Sequence, residues 1–308
     1  MIPLETRWVG VLISAIDFHI LRYLSSMKSC RIIFICISLI VQCDFLMAQT
    51  SRKNKSHELG FNFGGGYYIG EINPHYENIL RNAKFSFGMS YKRFFSKRWG
   101  LRASAMYGNT EAWDKNSSDP MLQYRNLNFR NRFYEFGLVG EINFFDYQMN
   151  SKNWITPYMF GGMAYYMMNP EGFYQGGWIP LQTMYTEAQT PANQYKLNGL
   201  SMPFGVGLKF NILGAMGLSF EWSMRKTWTD YFDDVSGLYP DKQFQMAQYG
   251  PLSAGLSDPS SQGQIALGNG VFTNDNIQRG DPSSNDHYGF FLASLMIRLD
   301  KPATNCFK

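Results

Sequence analysis

Apolar and polar residues alternate in a two-residue rhythm that recurs roughly eight times after residue 57. In the clearest copy, residues 85–92, Phe85, Phe87, Met89 and Tyr91 are apolar, whereas Ser86, Gly88, Ser90 and Lys92 are small or polar. Successive side chains of a strand point to opposite faces, so such a segment is greasy on one side and polar on the other. The same alternation predicts strands over residues 58–69, 99–108, 133–145, 203–213, 216–227 and 287–299. A further strand over 154–167 is ambiguous, because both of its faces are apolar or glycine. Short connections (96–98, 146–153, 214–215) alternate with long ones (71–83, 109–132, 168–202, 228–286). Short turns on one side, long loops on the other and an even strand count are the pattern of outer-membrane barrels, with both termini in the periplasm. The expected fold is all-β: a transmembrane antiparallel β-barrel of about eight strands, spanning residues 58–300. The alternative, a soluble sandwich or lipocalin-like barrel, has to explain long polar connections at one end only.

Composition fits this pattern. The mean hydropathy of −0.27 is too polar for a helical membrane protein. Aromatic residues make up 17% of the chain, as much as all charged residues together. A barrel that shows rings to lipid and polar groups to its lumen has this balance. The N-terminus reads as an export signal: Met27, Lys28 and Arg31 form a basic start, 32–41 is an unbroken apolar core, and Ala48 precedes Gln49 at a cleavage point. Translation is expected to start at Met27, leaving 1–26 as an upstream extension; the alternative is a long signal using all of residues 1–48. A polar linker over 49–57 follows, and 301–308 forms a periplasmic tail. Cys43 lacks the small preceding residue of a lipoprotein signal. Since Cys30, Cys36 and Cys43 leave with the signal, Cys306 alone remains, which excludes an internal disulfide and cysteine-based metal clusters. The formal charge of +4 is scattered rather than clustered, which argues against nucleic acid.

The polar faces of the strands place Glu58, Lys92, Arg102, Glu135, Glu141, Lys209, Glu221, Arg225 and Arg298 in the lumen. About eight strands enclose an interior that side chains nearly fill. Mixed charges there are expected to pair into a plug, because an unpaired buried charge is costly. Phe94, Phe95, Trp99, Phe144, Phe145, Tyr147 and Trp154 gather on the short-turn side as an interfacial girdle. Catalysis finds little support: His57 falls in the linker, His75 in the first long loop and His287 at the outer end of the last strand, none with a nucleophile motif. No cofactor is expected. Asp230, Asp233 and Asp234 could hold calcium through oxygen ligands, although their spacing fits no helical calcium loop and a solvated turn explains them.

Several stretches resemble the PorG-like outer-membrane barrels associated with the type IX secretion system. They are Gly64-Gly-Gly-Tyr-Tyr-Ile-Gly-Glu-Ile-Asn-Pro74, Arg125-Asn-Leu-Asn-Phe-Arg130, Met202-Pro-Phe-Gly-Val-Gly-Leu-Lys209, residues 221–237, and Gln278-Arg-Gly-Asp-Pro282 leading to Tyr288. Residues 224–237 are the most specific part; residues 239–277 match little, and the N-terminal leader is a departure. The resemblance implies a non-enzymatic role, anchoring or aligning the periplasmic ring of that machine at the outer membrane. The ring partners it implies are a PorK-like lipoprotein and a PorN-like protein, and it supplies no catalytic residue. The surface expected to meet them is on the short-turn side: Lys97, Arg98, Trp99, Tyr147, Lys152, Trp154 and Lys301. The alternative is a surface adhesion or ligand-binding barrel that works through its long loops.

Overall fold

The computed structural model describes residues 56–73, 79–147, 153–260, 274–275 and 277–300. The signal segment with Met27, the linker up to residue 55, His75, Lys152, Lys301 and the tail with Cys306 lie outside the described residues. Eight long strands form a closed antiparallel barrel of the outer-membrane type: β1 (Ser56–Ile69), β2 (Lys84–Phe94), β3 (Trp99–Trp113), β4 (Asn128–Asn143), β5 (Ile155–Met167), β8 (Asn198–Leu213), β9 (Met216–Thr227) and β10 (His287–Arg298). Between β5 and β8 a small hairpin, β6 (Pro170–Tyr174) and β7 (Gly177–Pro180), extends the sheet from the outer end of β4. Neighbouring strands follow the chain, and the wall closes where β1 pairs with β10 from Glu58↔Arg298 to Ile69↔His287. The first strand begins at Ser56, so the last two residues of the expected linker belong to the wall.

The distribution of side chains is the inverse of a soluble protein. Phe63, Phe87, Met89, Phe136, Leu138, Phe204, Val206, Phe220 and Trp222 are exposed on the outside. Ser90, Lys92, Glu135, Glu141, Thr156, Lys209, Ser219 and Arg225 are buried within. The ambiguous strand β5 resolves cleanly: Tyr158, Phe160, Ala164 and Tyr166 face inward, whereas Met159, Met163, Tyr165 and Met167 face outward. Its inner rings fit because the facing strand β8 carries glycines there. A Cβ on Gly207 would lie 2.6 Å from the Tyr158 ring, one on Gly205 2.8 Å from Phe160, and one on Gly199 2.6 Å from the Tyr166 hydroxyl. On the outside, Tyr67 lies over Gly289 of β10, and a Cβ at that glycine would come within 2.3 Å of the tyrosine. The Tyr67 hydroxyl donates to the Ser223 carbonyl (3.0 Å) and accepts from Trp222 Nε1 (2.8 Å), which ties β1, β10 and β9 together at the seam.

The long connections are not open loops. They carry the hairpin, a short helix Pro120–Arg125 and a helix Lys242–Ser257, and they pack into a cap over one end of the barrel. The helix lies in the stretch 239–277 that the PorG-like resemblance matches little. It starts at Asp241, whose carboxylate accepts from the Phe244 amide, and its chain kinks at Gly250-Pro251. Leu181, Phe232, Val235 and Leu256 of the connections share one apolar core with Phe129, Phe133, Tyr166, Tyr288 and Phe290 of the wall. Among the described residues no helix is long and apolar enough to cross a membrane.

Candidate functional site

Three regions have functional geometry: the lumen, the cap above it and the rim of short turns below. In the lower lumen Glu141 of β4 is the hub. Its carboxylate accepts from Lys209 of β8 and lies 3.4 Å from Lys92 Nζ and 3.7 Å from Arg102 Nη1. Arg102 also pairs with Glu221 at 2.5 Å, and the Tyr158 hydroxyl donates to Glu221 at 2.9 Å. Lys209 completes its bonding on Asn143 Oδ1 (2.8 Å) and sits 4.5 Å from the Phe94 ring. Glu58 lies across the ladder from Arg298 and Lys92, fully buried, and its carboxylate has no hydrogen-bond partner among the described residues. Higher in the barrel Arg225 pairs with Glu135 at 3.0 Å, and the Tyr288 hydroxyl donates to the same carboxylate at 2.8 Å. All nine charges expected in the lumen point into it. Asn143, on the polar face of β4 by the alternation, and Tyr158, Phe160 and Tyr288, which the alternation does not single out, complete the packing around them.

Phe232 closes the upper end. It descends from the β9–β10 connection, is fully buried, and stacks on Tyr288 at 4.9 Å and 6°. Phe133 and Tyr166 meet it edge-on at 5.3 and 6.0 Å. The lumen is thus blocked twice, by ions below and by rings above.

Several buried charges of the cap are paired within it. Arg125 forks onto Asp114 (2.7 and 2.9 Å), Arg279 bonds Glu187 (2.9 Å), Arg130 and Arg132 share Glu171 (2.5 and 2.7 Å), and Lys242 meets Asp258 at 3.1 Å. Asp230, Asp233 and Asp234 are buried in it, so they do not form the solvated turn that their composition suggests. Their loop is covered by the folded connections. They also divide: Asp234 joins Thr186, Tyr195 and Arg279, Asp233 meets Asp286 and Glu71 at the Tyr68 hydroxyl, and Asp230 lies beside Glu71 and Asp286. That hydroxyl lies 2.6 Å from both Asp233 and Asp286 yet has one proton to give. Burial, chiefly, pushes the carboxyls of Asp233 and Asp286 well above the usual carboxylate range and Asp230 up to about 7, and the charge of Glu71 adds to all three.

At the rim of short turns, Lys97 and Arg98 are exposed and both reach Asp146, at 3.6 and 2.8 Å. Trp99, Phe144, Phe145 and Trp154 are each more than half exposed. Tyr147 and Phe94 are corrections to the expected girdle and partner surface. Both are only 3% exposed, because they turn inward and form the floor beneath Lys209. His57 sits on the outer wall with Nδ1 2.5 Å from the Tyr91 hydroxyl, and neither it nor His287 contacts a serine or cysteine among the described residues.

A family model described as a domain of unknown function (DUF6089) matches residues 37–256, more than half of the chain. The chain belongs to the DUF6089 family. No curated protein matches it in sequence. Among solved structures this DUF6089 barrel is similar to neisserial surface protein A, at 7% identity and a TM-score of 0.38, over 79% of this chain and 97% of that one. It is also similar to Ail, the attachment invasion locus protein of Yersinia pestis (8%, TM-score 0.34, 80% and 99%). The outer membrane protein OprG from Pseudomonas aeruginosa is another such structure (6%, TM-score 0.34, 82% and 100%).

Proposed function

We propose that the protein is a non-enzymatic barrel of the outer membrane that anchors or aligns the periplasmic ring of the type IX secretion system. The observation that carries this reading is the double closure of a barrel whose outer wall is apolar. The apolar wall favours lipid as its surroundings, and a lumen filled by ion pairs and rings favours a scaffold over a conduit. Work is then left to the two ends. The PorG-like stretches quoted above supply the finer expectation, with PorK-like and PorN-like ring subunits as partners. The short-turn rim, with Lys97, Arg98, Trp99 and Trp154 exposed, is the surface that a periplasmic partner would meet. Crosslinkers placed at Lys97 and at Trp154 in intact outer membranes, followed by extraction in gentle detergent, test it. Capture of ring subunits from these positions and not from the cap is the expected result; capture from the cap alone reverses the assignment.

A second reading, a surface adhesion or ligand-binding barrel, is favoured by the folding of the long connections into one packed body. Removal of residues 239–277 separates the two: secretion persists under the scaffold reading, whereas binding is lost under the adhesin reading.

A further inference from the structure

Three chain segments that meet under the cap bring together a set of carboxylates that no salt bridge reaches among the described residues. Glu71 follows β1, Asp230 follows β9 and Asp286 precedes β10. One oxygen of each lies within 4.8 Å of the other two. Asp286 is held in place by the Phe232 amide (2.9 Å) and the Tyr68 hydroxyl (2.6 Å), and Glu71 by the Asp281 amide (3.4 Å). Asp230 differs from both: it is only 8% exposed, and neither of its buried oxygens has a hydrogen-bond partner among the described residues. The nearby guanidinium groups pair with other carboxylates, Arg125 with Asp114 and Arg279 with Glu187 and Asp234; Arg125 touches the cluster only through the Glu71 backbone carbonyl, to which it donates at 2.8 Å. No salt bridge reaches Glu71, Asp230 or Asp286 among the described residues. A buried carboxylate left without a donor or a cation is costly, because nothing replaces the water it has given up.

We propose that Glu71, Asp230 and Asp286 bind one calcium-type divalent cation, which ties the connections after β1 and β9 to the start of β10. Oxygens on one calcium ion, each about 2.3–2.6 Å from it, lie at most about 5 Å apart, which matches the observed spacing. The donor set is all carboxylate, so it selects a hard cation over zinc or copper. The half-exposed Glu71 gives the ion a way in from solvent, and water supplies the remaining ligands. Asp234, grouped with this cluster by sequence, belongs instead to Arg279 and lies outside the site.

Isothermal titration calorimetry of the full chain in detergent micelles, stripped with EDTA and titrated with calcium chloride, tests the site. One ion per chain is expected, with a Kd on the order of 10⁻⁴–10⁻³ M, the range of extracellular calcium modules. Asp230→Asn should weaken binding by about tenfold or more, and Asp146→Asn, at the opposite end, should not change it. In EDTA, Asp230→Asn should resist denaturant at least as well as the parent, since it removes the orphaned charge. Should that variant fail to fold, Glu71→Gln, at the half-exposed edge, carries the same titration. Absence of saturable calcium binding in the parent overturns the proposal, as does equal binding by the variants, which would mean that the carboxyls share protons instead.

Discussion

Replacement of Glu141 by Gln puts the sealed lumen to a quantitative test. Glu141 is 1% exposed and serves Lys92 (2%), Arg102 (10%) and Lys209 (0%). In a site with an effective dielectric near 20, each such contact has a gross attraction of about 4 kcal/mol; in bulk water it is about 1 kcal/mol. Most of the gross attraction is offset by desolvation and by repulsion among the three cations, so the sum is not the expected loss. What the substitution leaves is one uncompensated buried cation, for which about 3–5 kcal/mol is the measured range. Urea unfolding in detergent micelles, followed by tryptophan fluorescence, should register a loss of that size, insensitive to salt because buried pairs are weakly screened. Combining Glu141→Gln with Lys209→Met removes the excess charge and should recover at least half of it. A loss below about 1 kcal/mol that shrinks further in salt would refute the plug and reveal water between the side chains. In that case planar-bilayer recordings should also detect conductance, which the sealed lumen forbids.

Three further substitutions probe the seam, the ring plug and the cap. Gly289→Leu has no room beneath Tyr67 and should cost about 1–3 kcal/mol by overpacking, measured by urea midpoint, with Tyr67→Ala restoring part of it; an unchanged midpoint would show that Tyr67 does not cover the glycine. Phe232→Ala empties a site among four rings and should cost about 3–5 kcal/mol, read as protease cleavage of the cap while the barrel stays folded. Burial raises the Asp234 carboxyl to about 6 despite Arg279, with Glu187 opposing and Thr186 and Tyr195 bonded to it. Its folded pKa lies above the unfolded one, so its contribution is present in acid and lost as the pH rises through about 6. The thermal midpoint of the cap should therefore fall between about pH 4 and 6, and Asp234→Asn should flatten that slope; parallel profiles would contradict it.

The wall was legible because its signal is local. One side faces an apolar surface along every strand, and a period of two reports that directly. The strand that defeated the pattern, β5, did so because its inner face carries rings instead of polar groups. The clue to their direction lay some forty residues away, in Gly199, Gly205 and Gly207 of β8, and only pairing brings those glycines opposite Tyr166, Phe160 and Tyr158. The cap was illegible for a related reason. Phe232 stands between aspartates in a polar stretch, and Asp230 and Asp233 look solvated beside it. Their burial depends on Tyr68 of β1, Glu71 just beyond that strand and Asp286 at the far end of their own connection. Tyr147 was misread as a girdle ring because sequence gives its distance from the strand end but not the side to which the turn directs it.

The two ends of the barrel differ in what they leave unsatisfied, and that difference narrows where a periplasmic partner can bind. The buried cap cations Arg125, Lys242 and Arg279 are paired within the cap. At the short-turn rim the exposed groups are rings and charges, but the rings have another claim on them. Trp99 lies at an outward wall position opposite Ile142, and Trp154 leans 6.2 Å from the outward Phe210, so both sit where headgroups would meet the wall. Removal of Tyr147 to the floor takes a third ring from the contact surface. Lys97, Arg98 and Asp146 then remain as groups that point past the wall. Docking through them is electrostatic and on the surface, so it should weaken steeply with salt. Charge reversal at Lys97 and Arg98 together should abolish ring capture in the membrane pull-down, whereas Trp154→Phe should leave it intact. Capture that survives the double reversal but fails with Trp154→Phe would move the contact from the charged turn to the aromatic rim.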